Sequence, residues 1–185
     1  MFTMWNLLWN LNKGGLMKEI KIQELNINAY KAFDESWALL SAGKSKDNFN
    51  TMTISWGHLG SLWENDLPTA IVYVRPSRYT KKFIDSYDYF SLSFFDEKYR
   101  KDLIYLGSHS GKDEDKVSKT SLTVVDDDMA AYFNEANIVL ICRKLYAQEL
   151  REECFIDKDV MNKTYPLKDF HTMYIGKIER ILINQ

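Results

Sequence analysis

Two arginines, a serine and a threonine are bunched in the stretch VRPSRYT, residues 74–80, directly after the apolar run TAIVYV, residues 69–74. That run is short, rich in β-branched residues and preceded by Pro68, which predicts a buried strand. Apolar and aromatic residues at helical spacing then predict a helix over residues 78–87, with Ser77 as its N-cap. Free N–H groups at such a turn, with guanidinium and hydroxyl donors around them, are typical of a phosphate site. An equally simple interpretation is a capping serine beside two solvated arginines. The candidate donors are Arg75, Ser77, Arg78 and Thr80.

The stretch NTMTISWGHLG, residues 50–60, offers a second set of polar groups. Alternating polar and apolar residues, several of them β-branched, predict a strand that ends at Trp56. On a strand Thr51, Thr53 and Ser55 share one face, so their hydroxyls would line one surface. At the strand end a flat ligand could approach the backbone. The alternative is an edge strand with a polar outer face and a tryptophan in the core.

The stretch GSHSGKDEDK, residues 107–116, is the third polar cluster. Small residues and charges of this kind predict a loop that either clamps a ligand or is simply solvated. His58 and His109 have no partner that the sequence identifies. Neither a GxGxxG fingerprint nor a P-loop occurs, so we expect no separate dinucleotide-binding domain.

Strands outnumber helices in the predicted order of elements, and most connections have hairpin length. We therefore expect a mainly β fold with a few short helices, arranged as a closed or partly closed antiparallel barrel rather than a doubly wound sheet. Residues 17–185 are predicted to form a single domain. Further strands are predicted at residues 36–43, 89–95, 130–133, 137–149 and 173–183, and a second helix at residues 97–107.

The composition excludes several classes of partner. With 24 basic and 26 acidic residues the net charge is −2, so no global field favours nucleic acid or anionic lipid, and any phosphate site must be local. No apolar run approaches transmembrane length, and we expect neither a membrane nor a metal site. Cys142 and Cys154 are not spaced as a CxxC motif, which indicates a reduced, cytoplasmic protein, with Cys142 as a buried thiol in an apolar run.

The first sixteen residues, MFTMWNLLWNLNKGGL, are apolar and aromatic and contain no acidic residue. One interpretation is an amphipathic anchor. The other is a translated leader or a disordered extension, because Lys13, Gly14 and Gly15 can be encoded by a purine-rich ribosome-binding site just upstream of Met17. We expect the second, with Met17 as the start of the native chain.

Several long motifs resemble the flavin reductase-like, FMN-binding split-barrel proteins, and within them the flavoredoxin branch. The resemblance is carried by NTMTISWGHLGSLWENDLPTAIVYVRPSRYTKKFIDSYDYFSLSFF, by LGSHSGKDEDK, and later by ANIVLICRKLYAQEL and HTMYIGKIERIL, so that it covers residues 37–182. It implies a split β-barrel homodimer that binds FMN at or near the subunit interface.

The resemblance also implies roles for individual residues. The serine-glycine loop would lie against the cofactor, and His171 belongs to the family's C-terminal histidine motif, although a histidine at a strand start is more often structural. The ring and ribityl chain would lie along Asn50, Thr51, Met52, Thr53, Ser55 and Trp56. The phosphate would lie among Arg75, Ser77, Arg78, Tyr79 and Thr80. The loop residues are Ser108, Ser110, Gly111 and Lys116.

The implied activity is that of an FMN-dependent oxidoreductase in which NAD(P)H delivers hydride to N5 of the flavin and the electrons pass to an acceptor. No side chain need act as nucleophile or general base, because the cofactor carries the chemistry. An alternative is an FMN-bound electron carrier that docks with redox partners and has no NAD(P)H activity of its own. A third is a flavin-binding structural or sensing domain without turnover.

Overall fold

The computed structural model describes residues 17–185, in which eight antiparallel strands form one sheet and two short strands form a separate ribbon. The predicted leader at residues 1–16 lies outside the described residues. The sheet strands are β1 (Met17–Ile20), β2 (Ala38–Ser45), β3 (Asn48–Ile54), β4 (Gly57–Ser61), β5 (Pro68–Val74), β6 (Tyr89–Phe94), β9 (Ile138–Glu149) and β10 (Thr172–Asn184), and the ribbon strands are β7 (Val124–Val125) and β8 (Tyr132–Phe133).

The helices are few and short, as the sequence predicts. They are α1 (Ala29–Lys31), continued by a π-helical turn (Ala32–Ser36), α2 (Thr80–Ser86), α3 (Arg100–Ser108) and α4 (Lys158–Thr164). Single 3-10 turns occur at Ile22–Glu24, Glu97–Tyr99, Val117–Lys119 and Glu152–Cys154.

The sheet closes on itself as a split barrel. Its strand order is β3-β2-β6-β9-β10-β5-β4, with β1 added beside β10. The two end strands of this order, β3 and β4, are joined only by Ser55 and Trp56. Three peptide steps span at most about 11 Å, so the two ends of the sheet must lie side by side although no ladder joins them. The sheet is therefore curled with a split between β3 and β4, and the predicted mainly β split barrel is confirmed.

Alternating side chains divide the apolar residues between two cores. On β2, Ala38, Leu40 and Ala42 lie inside the barrel, whereas Leu39 points to the outer face. The inner core also holds the inward-facing phenylalanines of β6. The outer core lies under α3 and the β7-β8 ribbon and includes Leu103. Packing of α3 against β3 matters for the site, because it places the C-terminal end of α3 beside that edge strand.

The connection between β9 and β10 is a long excursion from the barrel. Residues 150–171 contain α4 and carry a small apolar cluster of their own, built around Met161, Tyr165 and Phe170. The excursion returns to the barrel at His171, whose carbonyl accepts a hydrogen bond from the N–H of Leu150. It therefore positions the residues at the start of β10.

The predicted elements differ from the structure in several places. The strand predicted to end at Trp56 ends at Ile54, and β4, which begins at Gly57, was not predicted, nor were β1 and α1. The strand predicted at residues 36–43 starts later and continues past Gly43, whose φ of +107° and bulge suit glycine. The strand predicted at 130–133 shrinks to Tyr132–Phe133, and α4 was not predicted.

Candidate functional site

One cavity lies between β3, the turn before α2 and the loop after α3. We call it the lysine cavity after the buried Lys116 in its wall; its volume is about 100 Å³. The loop closes against β3 because Gly111 has no side chain: a Cβ there would lie 2.1 Å from Oδ1 of Asn50. The predicted site residues that line it are Asn50, Met52, Thr53, Ser77, Arg78, Tyr79, Thr80, Ser108, Ser110, Gly111 and Lys116.

Asn50 links the floor of the cavity to the first turn of α2. Its Nδ2 donates a hydrogen bond of 2.7 Å to Oγ1 of Thr80 and a longer one to the carbonyl of Thr51. Asn50 and Thr80 are both buried. This bond fixes the turn of residues 75–79 against β3, so that the donors of the turn and of the strand face one space.

Lys116 is a buried cation in the cavity wall. It is only 4% exposed, and its Nζ donates to the carbonyls of Leu106 at 2.7 Å and His109 at 3.0 Å. An ammonium has three donors, so one remains for a ligand. Burial and, to a smaller extent, the charge of Arg78 lower the pKa of Lys116 to about 8, against a smaller raising effect of Glu114. The cavity thus concentrates positive charge that an anion would stabilise.

Arg78 and Ser77 lie at the open side of the cavity. Both are exposed, and among the described residues neither side chain has an ion pair or a hydrogen bond. The predicted capping role of Ser77 is wrong, because α2 begins at Thr80, its N-cap is Tyr79, and no side chain caps it. The chain instead makes a tight turn in which the N–H of Arg78 donates to the carbonyl of Arg75. Ser77 therefore keeps its hydroxyl free.

The serine-glycine loop begins inside the helix that precedes it. Ser108 is the last residue of α3, and its hydroxyl donates to the carbonyls of Ile104 and Tyr105. The hydroxyl of Ser110 accepts from the N–H of Lys112 and lies at the cavity wall. His109, for which no partner is identifiable from the sequence, stacks on Tyr105 with ring centroids 3.9 Å apart. The loop is thus ordered by its own contacts and not merely solvated.

A second cavity adjoins the first at the split between β3 and β4. We call it the histidine cavity; its volume is about 170 Å³, and it shares Met52, Thr53 and Arg78 with the lysine cavity. Each cavity alone is smaller than the roughly 300 Å³ of an ordinary cofactor site. A ligand of that size would extend through both. The other residues that line the histidine cavity are Ile54, Ser55, Trp56, Tyr73, Arg75 and His171.

His171 lies in this cavity as a neutral imidazole. Its Nδ1 is 2.8 Å from the hydroxyl of Tyr165, and its ring lies 4.9 Å from that of Trp56. Burial lowers the pKa of His171 to about 4, with further lowering by Arg75 and Arg78 against a raising effect of Asp169. At neutral pH the side chain is therefore uncharged.

Arg75 lies apart from the other predicted phosphate donors. Its Nη1 is 2.6 Å from Oδ2 of Asp169, its Nη2 donates to the carbonyl of Thr164, and its guanidinium lies 5.1 Å from the ring centroid of Tyr165. These contacts tie the β9-β10 excursion to the end of β5. The structure therefore places Arg75 in the other cavity, with its charge paired with a carboxylate, and its predicted role at the phosphate stays a prediction.

The three hydroxyls on β3 and its extension do not form one ligand-facing surface. The hydroxyl of Thr51 is buried. It donates to the carbonyl of Leu40 and accepts a hydrogen bond from the hydroxyl of Ser41. The hydroxyl of Thr53 donates to the carbonyl of Leu103 on α3 at 2.5 Å. Only Ser55, beyond the end of β3, keeps its hydroxyl available to the histidine cavity among the described contacts. Packing uses the hydroxyls of Thr51 and Thr53, so what these two residues can still offer a ligand is their backbone.

Sequence reasoning missed Tyr73 and Tyr165 as residues of the site. Tyr73 lines the histidine cavity, and its hydroxyl lies 3.5 Å from Nδ1 of His58. Its alternation on β5 with inward-facing residues could have revealed an outward tyrosine at the strand end. No pattern in the sequence indicates Tyr165, because its contact with His171 depends on how residues 150–171 fold back onto the barrel.

Two further classes of site have no support in residues 17–185. No helix there is long and apolar enough to cross a membrane. No group of three or more His, Cys, Asp or Glu side chains in the same range is arranged to hold a metal ion.

Comparison of the fold with solved structures gives consistent neighbours. An FMN-binding domain of flavin reductases-like enzyme from Shewanella baltica superposes with a TM-score of 0.64 at 13% identity, covering 94% of this chain and 80% of that one. Flavoredoxin of Desulfovibrio vulgaris gives a TM-score of 0.63 at 19% identity, covering 90% and 78%. Flavoredoxin from Methanosarcina acetivorans gives 0.59 at 23% identity, covering 85% and 74%. At these identities the likeness concerns the fold.

The sequence itself supplies the family. No curated protein matches the chain in a sequence search. The family model described as flavin reductase like domain, however, matches residues 30–185, which include both cavities and every strand from β2 to β10. The chain therefore belongs to the flavin reductase like domain family.

Proposed function

We propose that the protein binds FMN, with the phosphate in the lysine cavity and the flavin ring toward the histidine cavity. The observation that carries this is the pair of cations at one cavity: Lys116 is buried with one donor to spare, and Arg78 has no ion-pair partner among the described residues. A buried ammonium is costly unless an anion offsets it. A phosphate supplies that anion and accepts several charge-assisted hydrogen bonds.

The residues around the cations fit the rest of a phosphate site. Ser77 has a free hydroxyl, Ser110 has a hydroxyl proton to donate, and Gly111 allows the loop to approach β3 closely. These groups would hold the phosphate in place. The fit is specific to the turn before α2 and the loop after α3, since no comparable set of free donors lines the histidine cavity.

The free edge of β3 fits a planar ring. β3 pairs only with β2, so its other edge has backbone N–H and C=O groups directed at the split of the barrel. Met52 and Thr53 belong to both cavities, and would lie along the ring as it passes from one to the other. Trp56 and Ser55 would border its far end.

On this basis we assign the protein to the oxidoreductases that use NAD(P)H. When bound, FMN would supply the chemistry, accepting hydride from NAD(P)H and giving electrons to an acceptor. The chain's own residues bind and orient: Arg78 and Lys116 hold the anionic end, while Trp56 and His171 border the space beside the ring. None of the described side chains needs to act as a nucleophile.

A second function, electron transfer without NAD(P)H activity, is favoured by the names of two structural neighbours. Both the Desulfovibrio and the Methanosarcina proteins are flavoredoxins. In that function the exposed Trp56, 46% accessible at the split, would lie where a redox partner protein could approach. The phosphate site would be the same in both functions.

The first experiment separates binding from turnover. Titration of the protein with FMN, followed by quenching of flavin fluorescence, tests the cofactor; saturable binding supports the proposal, and none at micromolar concentration would overturn it. The FMN-loaded protein is then mixed anaerobically with NADH and, separately, NADPH. Bleaching of flavin absorbance with either identifies a reductase and its coenzyme. Flavin that only dithionite bleaches identifies the electron-transfer function.

We also propose that the protein forms a homodimer. Trp63 and Tyr146 lie on the outside of the barrel with ring centroids 6.5 Å apart, and are 60% and 41% exposed. An exposed aromatic pair is typical of a surface that a partner covers. Light scattering after size exclusion should give twice the chain mass, and Trp63→Ser should shift it toward the monomer; a monomeric wild type would contradict the proposal.

We propose a cytoplasmic location because both cysteines are free thiols. Cys142 is buried and Cys154 is exposed, and both are free thiols. Burial raises the pKa of Cys142 well above its ordinary value, with a smaller contribution from Glu179, so this thiol is inert. An exposed free thiol fits a reducing cytoplasm.

A further inference from the structure

We infer that Tyr165 is a positioning residue for the histidine cavity: its hydroxyl donates to Nδ1 of His171 and fixes the imidazole in the tautomer that carries its proton on Nε2. The distance between the two atoms is 2.8 Å, and both residues are buried. Only the identity of the ligand that would contact the imidazole rests on the proposed function. The tautomer itself is a property of the protein alone.

The direction of this hydrogen bond follows from what else surrounds the hydroxyl. Burial raises the pKa of Tyr165, against smaller lowering effects of Arg75 and of the backbone of His171. The phenol therefore stays protonated at neutral pH. Nδ1 of His171 is the only acceptor within hydrogen-bond distance of that hydroxyl among the described residues. If Nδ1 carried the proton instead, the buried phenolic proton would have no acceptor, which is costly.

Tyr165 is held rigidly enough to act in this way. Its ring packs on Phe170 and Phe155, with centroids 4.9 and 5.7 Å away, inside the small cluster of the β9-β10 excursion. The guanidinium of Arg75 lies over its other side and is itself fixed by Asp169. A hydrogen bond from a packed aromatic ring leaves little freedom to the imidazole that accepts it.

The consequence for the cavity is a neutral N–H donor. Because Tyr165 occupies Nδ1, the opposite nitrogen of the ring, Nε2, is the one left for a ligand, next to the indole of Trp56. The charged groups that face His171 are Arg75, Arg78 and Asp169, and Tyr73 lines the same cavity. An uncharged imidazole donor between an indole and a phenol suits a flat, neutral acceptor. The carboxamide oxygen of a nicotinamide has that chemistry.

The first test needs no cofactor. Nitrogen NMR of histidine-labelled protein, with signals assigned through His58→Gln and His109→Gln, should show His171 with an unprotonated Nδ1 and a protonated Nε2 across neutral pH. Tyr165→Phe should mix the two tautomers, because the variant removes the donor to Nδ1. A protonated Nδ1 in the wild type overturns the inference even if the variant does not fold. An unchanged tautomer in a folded Tyr165→Phe overturns it too.

The second test asks whether Tyr165 acts through His171. With FMN saturating, Tyr165→Phe should raise KM for the preferred coenzyme about tenfold, leave kcat within about twofold, and leave the Kd for FMN unchanged. Tyr132→Phe is the matched control, since Tyr132 lies on β8 and lines neither cavity. In a His171→Ala background the effect of Tyr165→Phe should fall below about twofold.

The outcomes separate the inference from the proposed function. A Tyr165→Phe effect that persists in the His171→Ala background shows that Tyr165 acts by another route and overturns the positioning role. Wild-type protein that binds FMN but oxidises neither NADH nor NADPH overturns the reductase function alone. In that case the tautomer measurement still decides the inference.

Discussion

The lysine cavity and the histidine cavity share a wall but differ in charge. The first has a buried ammonium and an exposed guanidinium with no paired carboxylate in the described chain. The second shares the guanidinium of Arg78 at the common wall, but its own guanidinium, that of Arg75, is neutralised by Asp169 at 2.6 Å, and its imidazole is uncharged. Two arginines only three positions apart therefore have opposite roles. One is available to an anion, whereas the other fastens the excursion to the barrel.

This difference suggests a division of work along one extended ligand site. Unpaired positive charge gives affinity for an anionic group, so the lysine cavity would determine how tightly FMN binds. Neutral donors and aromatic faces give orientation, so the histidine cavity would determine what meets the ring. Changes in one cavity should consequently leave the measured property of the other nearly intact.

The largest effect is expected from removing the buried cation. Lys116→Met keeps the apolar stem but removes the ammonium, and should weaken FMN binding about 100-fold, which corresponds to roughly 2.7 kcal/mol for a charge-assisted contact. Fluorescence titration measures it. Lys119→Met is the matched control, because Lys119 is exposed on the same turn and lines neither cavity. Equal affinities for both variants would contradict the role of Lys116.

A smaller loss is expected where the loop approaches β3. Gly111→Ala places a methyl group 2.1 Å from Oδ1 of Asn50, so either the loop or the amide must move. We expect FMN affinity to fall about 30-fold, equivalent to roughly 2 kcal/mol, with the coenzyme KM at saturating FMN unchanged. Gly60→Ala is the control, since a Cβ there has no neighbour within 4 Å. If both alanines behave alike, the close approach has no part in binding.

The two arginines test the comparison directly. Arg78→Ala should weaken FMN binding about tenfold, equivalent to roughly 1.4 kcal/mol, without changing the melting temperature, because its guanidinium has no intramolecular partner in the described structure. Arg75→Ala should do the reverse: it breaks the contacts with Asp169 and Thr164 and should lower the free energy of unfolding by about 1 kcal/mol. The measurements are fluorescence titration and thermal melting. A loss of FMN affinity in Arg75→Ala equal to that in Arg78→Ala would refute the division.

The two cavities also differ in how well the sequence predicts them. The lysine cavity is built from three short stretches whose donors are local features of the chain, so all of its polar walls were predictable. The distinction between Arg75 and Arg78 was not, because the partner of Arg75 is Asp169, 94 residues away. Tyr165 was invisible for the same reason, since its contact with His171 exists only once the excursion has folded on its cluster.

The fold shows a related limit. The predicted strands agree well with β3, β5, β6, β9 and β10, because their sequences are apolar runs or alternate polar and apolar residues. β4 has the sequence GHLGS, with two glycines and no β-branched residue, and it forms because β5 offers it a ladder. Which hydroxyls on β3 face a ligand depends on α3, whose Leu103 carbonyl accepts from Thr53. The alternation of polar and apolar residues along a strand does not reveal how a helix packs against it.

The smallest expected effect is a pH dependence confined to one cavity. Because burial lowers the pKa of Lys116 to about 8, the ammonium loses its proton as pH rises through 8, and a bound phosphate that favours the charged form is then held less tightly. Between pH 7.5 and 8.5 the charged fraction, and with it the FMN affinity, should fall about threefold. The stability of the free protein should change in the opposite sense. Its folded pKa lies below that of the unfolded chain, so above pH 8 the unfolded state binds more protons, and the free energy of unfolding rises.

The histidine cavity provides the internal control for this titration. His171, with a pKa near 4, stays neutral throughout, so the coenzyme KM at saturating FMN should be flat between pH 7.5 and 8.5. Lys116→Met should abolish both the fall in affinity and the rise in stability. If the affinity of Lys116→Met still falls threefold over this range, the titrating group is not Lys116, and the positive charge of the lysine cavity must be attributed to Arg78 alone.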